Sequence, residues 1–126
     1  MRQVMTPSPH TVGIDKPLTI ARALIRTRCL RHLPVLQGGK LVGVLTQRDL
    51  YYLETVDGVD LNKDSVADAM TADVYVASPD DPIPDVARVM AAHKYGCAVI
   101  VEGGKVVGIF TANDALHHLS TIAEAL

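Results

Sequence analysis

The sequence predicts an α/β (α+β) chain made of two strand, helix, strand, strand, helix repeats, with small mixed sheets covered by helices. Three observations predict it: an ungapped internal repeat, a Gly-Gly hairpin in each copy, and apolar residues at helical spacing beside each hairpin. A shift of 65 positions, which lays Met70 on Met5, superimposes Met5-Thr6 on Met70-Thr71, Asp15-x-Pro17 on Asp80-x-Pro82 and Gly38-Gly39-Lys40 on Gly103-Gly104-Lys105. The same shift carries Val42-Gly43 onto Val107-Gly108, Thr46 onto Thr111 and Asp49 onto Asp114. A repeat of fixed period sets the architecture before any single element is assigned.

Each copy opens with an extended stretch, residues 10–13 and 74–77. Turn residues and a proline follow, and a helix starts there, since proline suits a first helical turn. Asp80 and Asp81, just ahead of Pro82, are expected to cap its open N–H groups. Leu18, Ala21, Leu24 and Ile25 recur at helical spacing and put Arg22 and Arg26 on the other face; Ile83, Val86, Val89 and Met90 repeat the stripe. Next comes a hairpin, Leu33-Pro34-Val35-Leu36 to Leu41-Val42-Gly43-Val44-Leu45, matched by Ala98-Val99-Ile100-Val101 to Val106-Val107-Gly108-Ile109-Phe110. These strands are apolar throughout, so both faces should be covered. Closing helices follow over residues 47–56 and 112–125. One copy is too small to bury its sheet, so the two should pack as one compact module. Residues 1–56 form the first repeat, the polar stretch 57–65 a linker, and 66–126 the second repeat. Ser65-x-x-Asp68 is expected to cap a short turn ending near Met70, as part of the second repeat.

Of the 126 residues, 48% are hydrophobic and 21% charged, enough apolar material for a real core. The net charge of −2 gives no basic field for a phosphate backbone, so nucleic acid is not an expected partner. The N-terminal residues lack the apolar core of a signal peptide and no apolar run is of membrane-spanning length, so the expected address is the cytoplasm, with no membrane partner. Cys29 and Cys97 lack metal-ligand or CxxC spacing and read as buried, reduced thiols.

The order of motifs resembles the CBS domain, named after cystathionine β-synthase, in the tandem form called a Bateman module. The residues that carry the resemblance are Val4-Met5-Thr6 and Ala69-Met70-Thr71, the Leu33-Pro34-Val35 strand, and Gly43-Val44-Leu45-Thr46-Gln47-Arg48-Asp49 with its counterpart Gly108-Ile109-Phe110-Thr111-Ala112-Asn113-Asp114. The resemblance implies two βαββα units related by a pseudo-twofold axis, with two clefts between them. Family members commonly bind AMP, ADP or ATP, less often S-adenosylmethionine or a nicotinamide dinucleotide, and use occupancy to control an attached or partner protein.

Thr46-x-x-Asp49 and Thr111-x-x-Asp114 admit two readings. A threonine followed three residues later by an acid is an ordinary helix cap, and local sequence alone favours that. The repeat context favours a ligand. The resemblance implies that the aspartate accepts from ribose hydroxyls while the threonine hydroxyl faces a phosphate. The physics agrees, because a carboxylate can accept from two vicinal hydroxyls and a helix N-terminus favours a phosphate. Gly43 and Gly108 interrupt apolar strands, which points to close approach of a ligand or of the other unit.

Basic residues are uneven. Arg28, Arg31 and His32 precede the first hairpin and Arg48 sits inside the first Thr-x-x-Asp, where the resemblance implies a phosphate contact. The second repeat has Gly96, Cys97 and Asn113 in place of Arg31, His32 and Arg48. A guanidinium holds phosphate bidentately and an amide does not, so the site of Thr46, Arg48 and Asp49 should take the more highly phosphorylated ligand. By the same resemblance Val12, Pro34 and Ala77 are ligand-lining positions, together with Arg31 and His32. Residues 1–63 carry nine Lys or Arg against five Asp or Glu, and residues 64–126 three against nine, so the halves read +4 and −6. Family members commonly pair through their helices, and this charge asymmetry favours an antiparallel, head-to-tail homodimer.

The five histidines have no metal-ligand spacing, and the sequence lacks a Walker loop, a Gly-x-Ser-x-Gly and a His-Glu-x-x-His, so neither a metal nor an enzyme is expected. Tyr51-Tyr52 on the first closing helix reads as core or dimer packing. The leading reading is a sensor of an adenine nucleotide that signals to an unidentified effector protein. The alternatives are a scaffold that only dimerises or docks, and a sensor of S-adenosylmethionine, a nicotinamide dinucleotide or a metal ion.

Overall fold

The computed structural model describes residues 1–56 and 58–125; Asp57, where the expected linker begins, and Leu126, at the end of the second repeat, lie outside them. In chain order the elements are β1 (Thr6–Pro7), β2 (Val12–Gly13), α1 (Leu18–Arg28), β3 (His32–Gln37), β4 (Lys40–Thr46), α2 (Gln47–Glu54), α3 (Val66–Ala69), β5 (Val76–Ala77), α4 (Ile83–His93), β6 (Cys97–Glu102), β7 (Lys105–Thr111) and α5 (Ala112–Glu124). Both βαββα repeats are present. They form two small mixed sheets, β2-β3-β4 and β1-β7-β6-β5. β2 runs parallel to β3 and β5 parallel to β6, while each hairpin is antiparallel.

Each hairpin turns on two glycines with positive φ, Gly38 (59°) and Gly39 (80°) in one, Gly103 (60°) and Gly104 (77°) in the other. That backbone matches the strands' right-handed twist and is costly for any residue with a Cβ. α1 and α4 begin after extended prolines, Pro17 and Pro82, with no side-chain cap. The expectation that Asp80 and Asp81 cap α4 is therefore corrected. Asp81 instead accepts from the Ser78 N–H at 2.8 Å, holding the preceding turn, and Asp80 lies 3.4 Å from Arg2. Both helices stop at a left-handed residue, Cys29 (φ 55°) and Lys94 (φ 58°), whose N–H groups reach back to Ile25 O and Met90 O. That position leaves Cys29 exposed, against the expectation of burial.

The chain divides into two compact units that differ from the sequence repeats. One is contiguous, His10–Val74; the other is composite, Met1–Pro9 with Tyr75–Leu126. The core of the contiguous unit gathers Leu18, Ala21 and Ile25 from α1, Leu33, Val35 and Leu45 from the hairpin, Leu50 from α2, and Val66 from α3. The Ser65–Met70 turn, expected in the second repeat, thus belongs to the first repeat's core. The reason is pairing: Val66 N–H donates to Lys16 O at 2.9 Å and Ala67 N–H to Ile14 O at 3.1 Å. In the composite unit Met1 joins Ala77, Val86, Met90, Ala98, Ile100 and Phe110, with Val4 and Met5 packed against them.

Each repeat's opening Met-Thr therefore crosses the other repeat's second hairpin strand. Thr6 pairs with Ile109 and Pro7 with Gly108, and Thr71 exchanges two 2.9 Å bonds with Val44. This crossing explains the strand glycines. A Cβ on Gly43 would lie 2.6 Å from Met70 Sδ and 2.9 Å from Thr71 O, and one on Gly108 would meet the Met5 side chain, with its Cγ at 2.9 Å. Exchange of arms also redistributes charge. The contiguous unit has eight Lys or Arg and eight Asp or Glu, net zero; the composite unit has four and six, net −2. The +4 and −6 halves of the sequence do not survive folding.

Candidate functional site

The N-termini of α2 and α5 are built alike. Asp49 N–H donates to Thr46 Oγ1 at 3.0 Å and Thr46 N–H donates to Asp49 Oδ2 at 3.0 Å. In α5 the Asp114-to-Thr111 and Thr111-to-Asp114 bonds are 3.1 and 2.9 Å. Both are complete capping boxes, so the capping reading of Thr-x-x-Asp is realised twice. Capping does not consume the groups, however. Among the described residues neither aspartate Oδ1 accepts a bond and neither threonine hydroxyl donates one.

The hairpins bring the remaining residues to these termini. His32 lies opposite Thr46 in the β3/β4 register, and Gln47 N–H donates to Arg31 O at 3.0 Å. With the first N–H of α2 held by Arg31 and the third by Thr46, Arg48 N–H is left open, and an anion there would meet it and the helix dipole together. Arg48 and Arg31 are exposed, and neither is in a salt bridge among the described residues. The composite unit repeats the backbone and changes the chemistry. Cys97 lies opposite Thr111, Ala112 N–H donates to Gly96 O at 3.0 Å, and Asn113 supplies a neutral amide where Arg48 supplies a guanidinium.

Two groups beneath these termini are perturbed. His32 Nδ1 is buried without a hydrogen-bond partner. Burial, reinforced by the Arg31 charge and opposed by Asp49, holds its imidazole below the ordinary histidine range. Burial pushes the Cys97 thiol up to about 11, so it stays protonated and inert at neutral pH.

Thr46, Arg48, Asp49, Arg31 and His32 are thus brought together in one unit, and Thr111, Asn113 and Asp114 in the other. Val12, Ala77 and Pro34 are placed differently. Val12 and Ala77 are buried in the two cores as the strands paired with Val35 and Ile100, and Pro34 is fully buried opposite Val44. The carbonyls of Arg31 and Gly96, which decide which helical N–H stays open, carry no side-chain signature and were not legible in the sequence. Among the described residues there is no cluster of three or more metal-binding side chains, and no helix is long and apolar enough to cross a membrane.

Comparison with known proteins agrees with this architecture. The CBS domain family model matches residues 1–53 and 66–121. The chain is 34% identical over 121 residues to inosine-5'-monophosphate dehydrogenase of Korarchaeum cryptofilum; the match takes in 95% of the chain and 23% of that protein, so the chain spans under a quarter of this relative's length. Among solved structures it is similar to CBSX2 in complex with AMP (TM-score 0.83, 25% identity, covering 97% of this chain and 96% of that one). It is also similar to the CBS domain pair of protein MJ0100 in complex with 5'-methylthioadenosine and S-adenosyl-L-methionine (TM-score 0.82, 26% identity, covering 94% and 97%). With the repeat, the paired βαββα units and the family model all falling on the same residues, the chain belongs to the CBS domain family.

Proposed function

We propose that this chain is a non-catalytic regulatory module that binds an adenine nucleotide, AMP, ADP or ATP, and signals its occupancy to a partner protein in the cytoplasm. One observation carries the reading. At the α2 N-terminus, Asp49 uses Oδ2 in the capping box and, among the described residues, Oδ1 accepts no bond, the Arg48 N–H is open and the Arg48 guanidinium makes no salt bridge. A carboxylate oxygen suits a ribose hydroxyl, and an open N–H with a guanidinium suits a phosphate. Preferential binding to one arrangement of the module would then shift a partner's activity. The module is read as a homodimer.

The α5 terminus favours a second reading for its own unit. Asp114 offers the same ribose acceptor, but Asn113 brings no charge, which suits an adenosine derivative without phosphate, such as S-adenosylmethionine. The AMP, 5'-methylthioadenosine and S-adenosylmethionine complexes of the two similar proteins support both ligand classes.

The test is a thermal-shift panel with AMP, ADP, ATP, S-adenosylmethionine and NADH on wild type, Asp49→Asn and Asp114→Asn. Asparagine keeps an oxygen for the cap and removes the carboxylate. A ligand at 100 times its Kd stabilises by about 2.7 kcal/mol, a shift of several degrees. The expected result is a nucleotide shift on wild type that Asp49→Asn abolishes. No shift with any ligand would replace this reading with a dimerisation or docking scaffold.

A further inference from the structure

The shift of 65 positions relates two corners of the fold that differ in one side chain. In the composite unit Arg2 N–H donates to Pro79 O at 3.0 Å, and the Arg2 guanidinium reaches Asp80 Oδ1 at 3.4 Å and Glu102 Oε2 at 2.9 Å. The contiguous unit keeps the backbone of this corner. Ala67, the counterpart of Arg2, donates its N–H to Ile14 O, the counterpart of Pro79 O, at 3.1 Å. The flanking bond is kept as well, Val66 N–H to Lys16 O at 2.9 Å matching Met1 N to Asp81 O at 3.0 Å. The acceptors are kept in part, since Asp15 stands for Asp80 and Gln37 for Glu102. The guanidinium is not kept, because Ala67 carries only a methyl group.

Where Arg2 spans one corner, the other holds a cavity of about 430 Å³, lined by Thr11, Gly13, Asp15 and Gln37 and by the turn glycines Gly38 and Gly39. A volume of this size falls within the range of small-ligand sites. The cavity lies at the far end of β4 from Thr46, so it is separate from the α2 N-terminus. Asp15 and Gln37 are exposed, and Asp15 forms no salt bridge among the described residues, not even with the neighbouring Lys16. A Cβ on Gly13 would stand 3.0 Å from Asp15 Oδ1, so glycine here lets the carboxylate lie against β2. A carboxylate and an amide oxygen thus stand where the sister corner presents two carboxylates to one guanidinium. A planar, forked guanidinium suits two separate acceptors better than a compact ammonium does. Lys16 in place of Asp81 and Gln37 in place of Glu102 make this corner less acidic than its sister, so the attraction is weaker here and falls with salt.

We propose that this corner of the contiguous unit is a binding site for a guanidinium group, carried by a free guanidine or by an arginine side chain of a partner. It stands apart from the nucleotide reading and does not depend on it. The test is an amide NMR titration of the isotope-labelled chain at low ionic strength with agmatine, N-acetyl-arginine amide and N-acetyl-lysine amide. Agmatine and the arginine amide are expected to move the Gly13, Gly38 and Gly39 amides, and the lysine amide to bind more weakly than the arginine amide. Tighter binding of agmatine assigns the site to a free guanidine, and tighter binding of the arginine amide assigns it to a partner's side chain. Asp15→Asn is expected to weaken binding by about tenfold, and Gln37→Glu, which restores the acid pair, to strengthen it. Ala67→Arg is expected to abolish binding, because its side chain takes the place that Arg2 takes in the composite unit. All three positions are exposed, so amide signals away from the corner should be unchanged in each variant. Glycine amides that do not move in wild type, binding that Asp15→Asn and Ala67→Arg leave intact, or a lysine amide that binds as tightly as the arginine amide would each overturn the proposal.

Discussion

Gly43 and Gly108 occupy equivalent positions but are held to glycine by different neighbours. A Cβ on Gly43 meets the backbone oxygen of Thr71, which cannot swing aside, as well as Met70; on Gly108 it meets only the Met5 side chain. Gly43→Ala is expected to destabilise by about 1–3 kcal/mol and Gly108→Ala by less. Urea denaturation of double variants separates the causes: Met5→Ala should restore Gly108→Ala almost fully, and Met70→Ala should restore Gly43→Ala only in part. His32 gives a pH signature. Its imidazole titrates lower in the fold than the ordinary value of 6.5, chiefly through burial, so the unfolded chain binds more protons in that window. The contribution to stability is complete above the ordinary histidine pKa and is lost as pH falls through the folded one. Denaturation midpoints between pH 7.5 and 5 are expected to fall more steeply in wild type than in His32→Gln.

At the scale of elements, local signals were legible and pairing was not. Thr46-x-x-Asp49 and Thr111-x-x-Asp114 spelled out capping boxes that the fold contains, and the glycine pairs spelled out both hairpins. The helical stripes placed Leu18, Ala21 and Ile25 in a core because apolar period follows helix geometry directly. Nothing local shows which sheet a short arm joins. Val66 sits at the head of the second repeat by sequence, yet it is fully buried among Leu18, Leu33 and Leu45 of the first. Val66→Ala is expected to cost about 2 kcal/mol and to do so in the contiguous unit, read as faster amide exchange in β3 and β4 than in β6 and β7. The open Oδ1 of Asp49 could be foreseen from residue type. The Arg31 carbonyl that leaves only Arg48 N–H free beside it could not, because every residue has a carbonyl.

For the whole molecule, the exchange of arms overturns the bookkeeping done on sequence halves. Units of net charge zero and −2 offer little of the attraction that the +4 and −6 division promised, so charge no longer favours a head-to-tail pairing. It also changes where the chain can be cut. A fragment of residues 10–74 keeps its own core, including Val66, whereas residues 1–56 carry an arm with no strand to pair with and lack α3. Circular dichroism melts are expected to show a cooperative transition for 10–74 and none for 1–56. The pairing of Thr6 with Ile109 has a further consequence in time. On the ribosome the arm at Thr6 emerges roughly a hundred residues before the strand it pairs with, so the composite unit cannot close until Ile109 has been made. The contiguous unit, whose contacts end at Val74, can form while that arm waits.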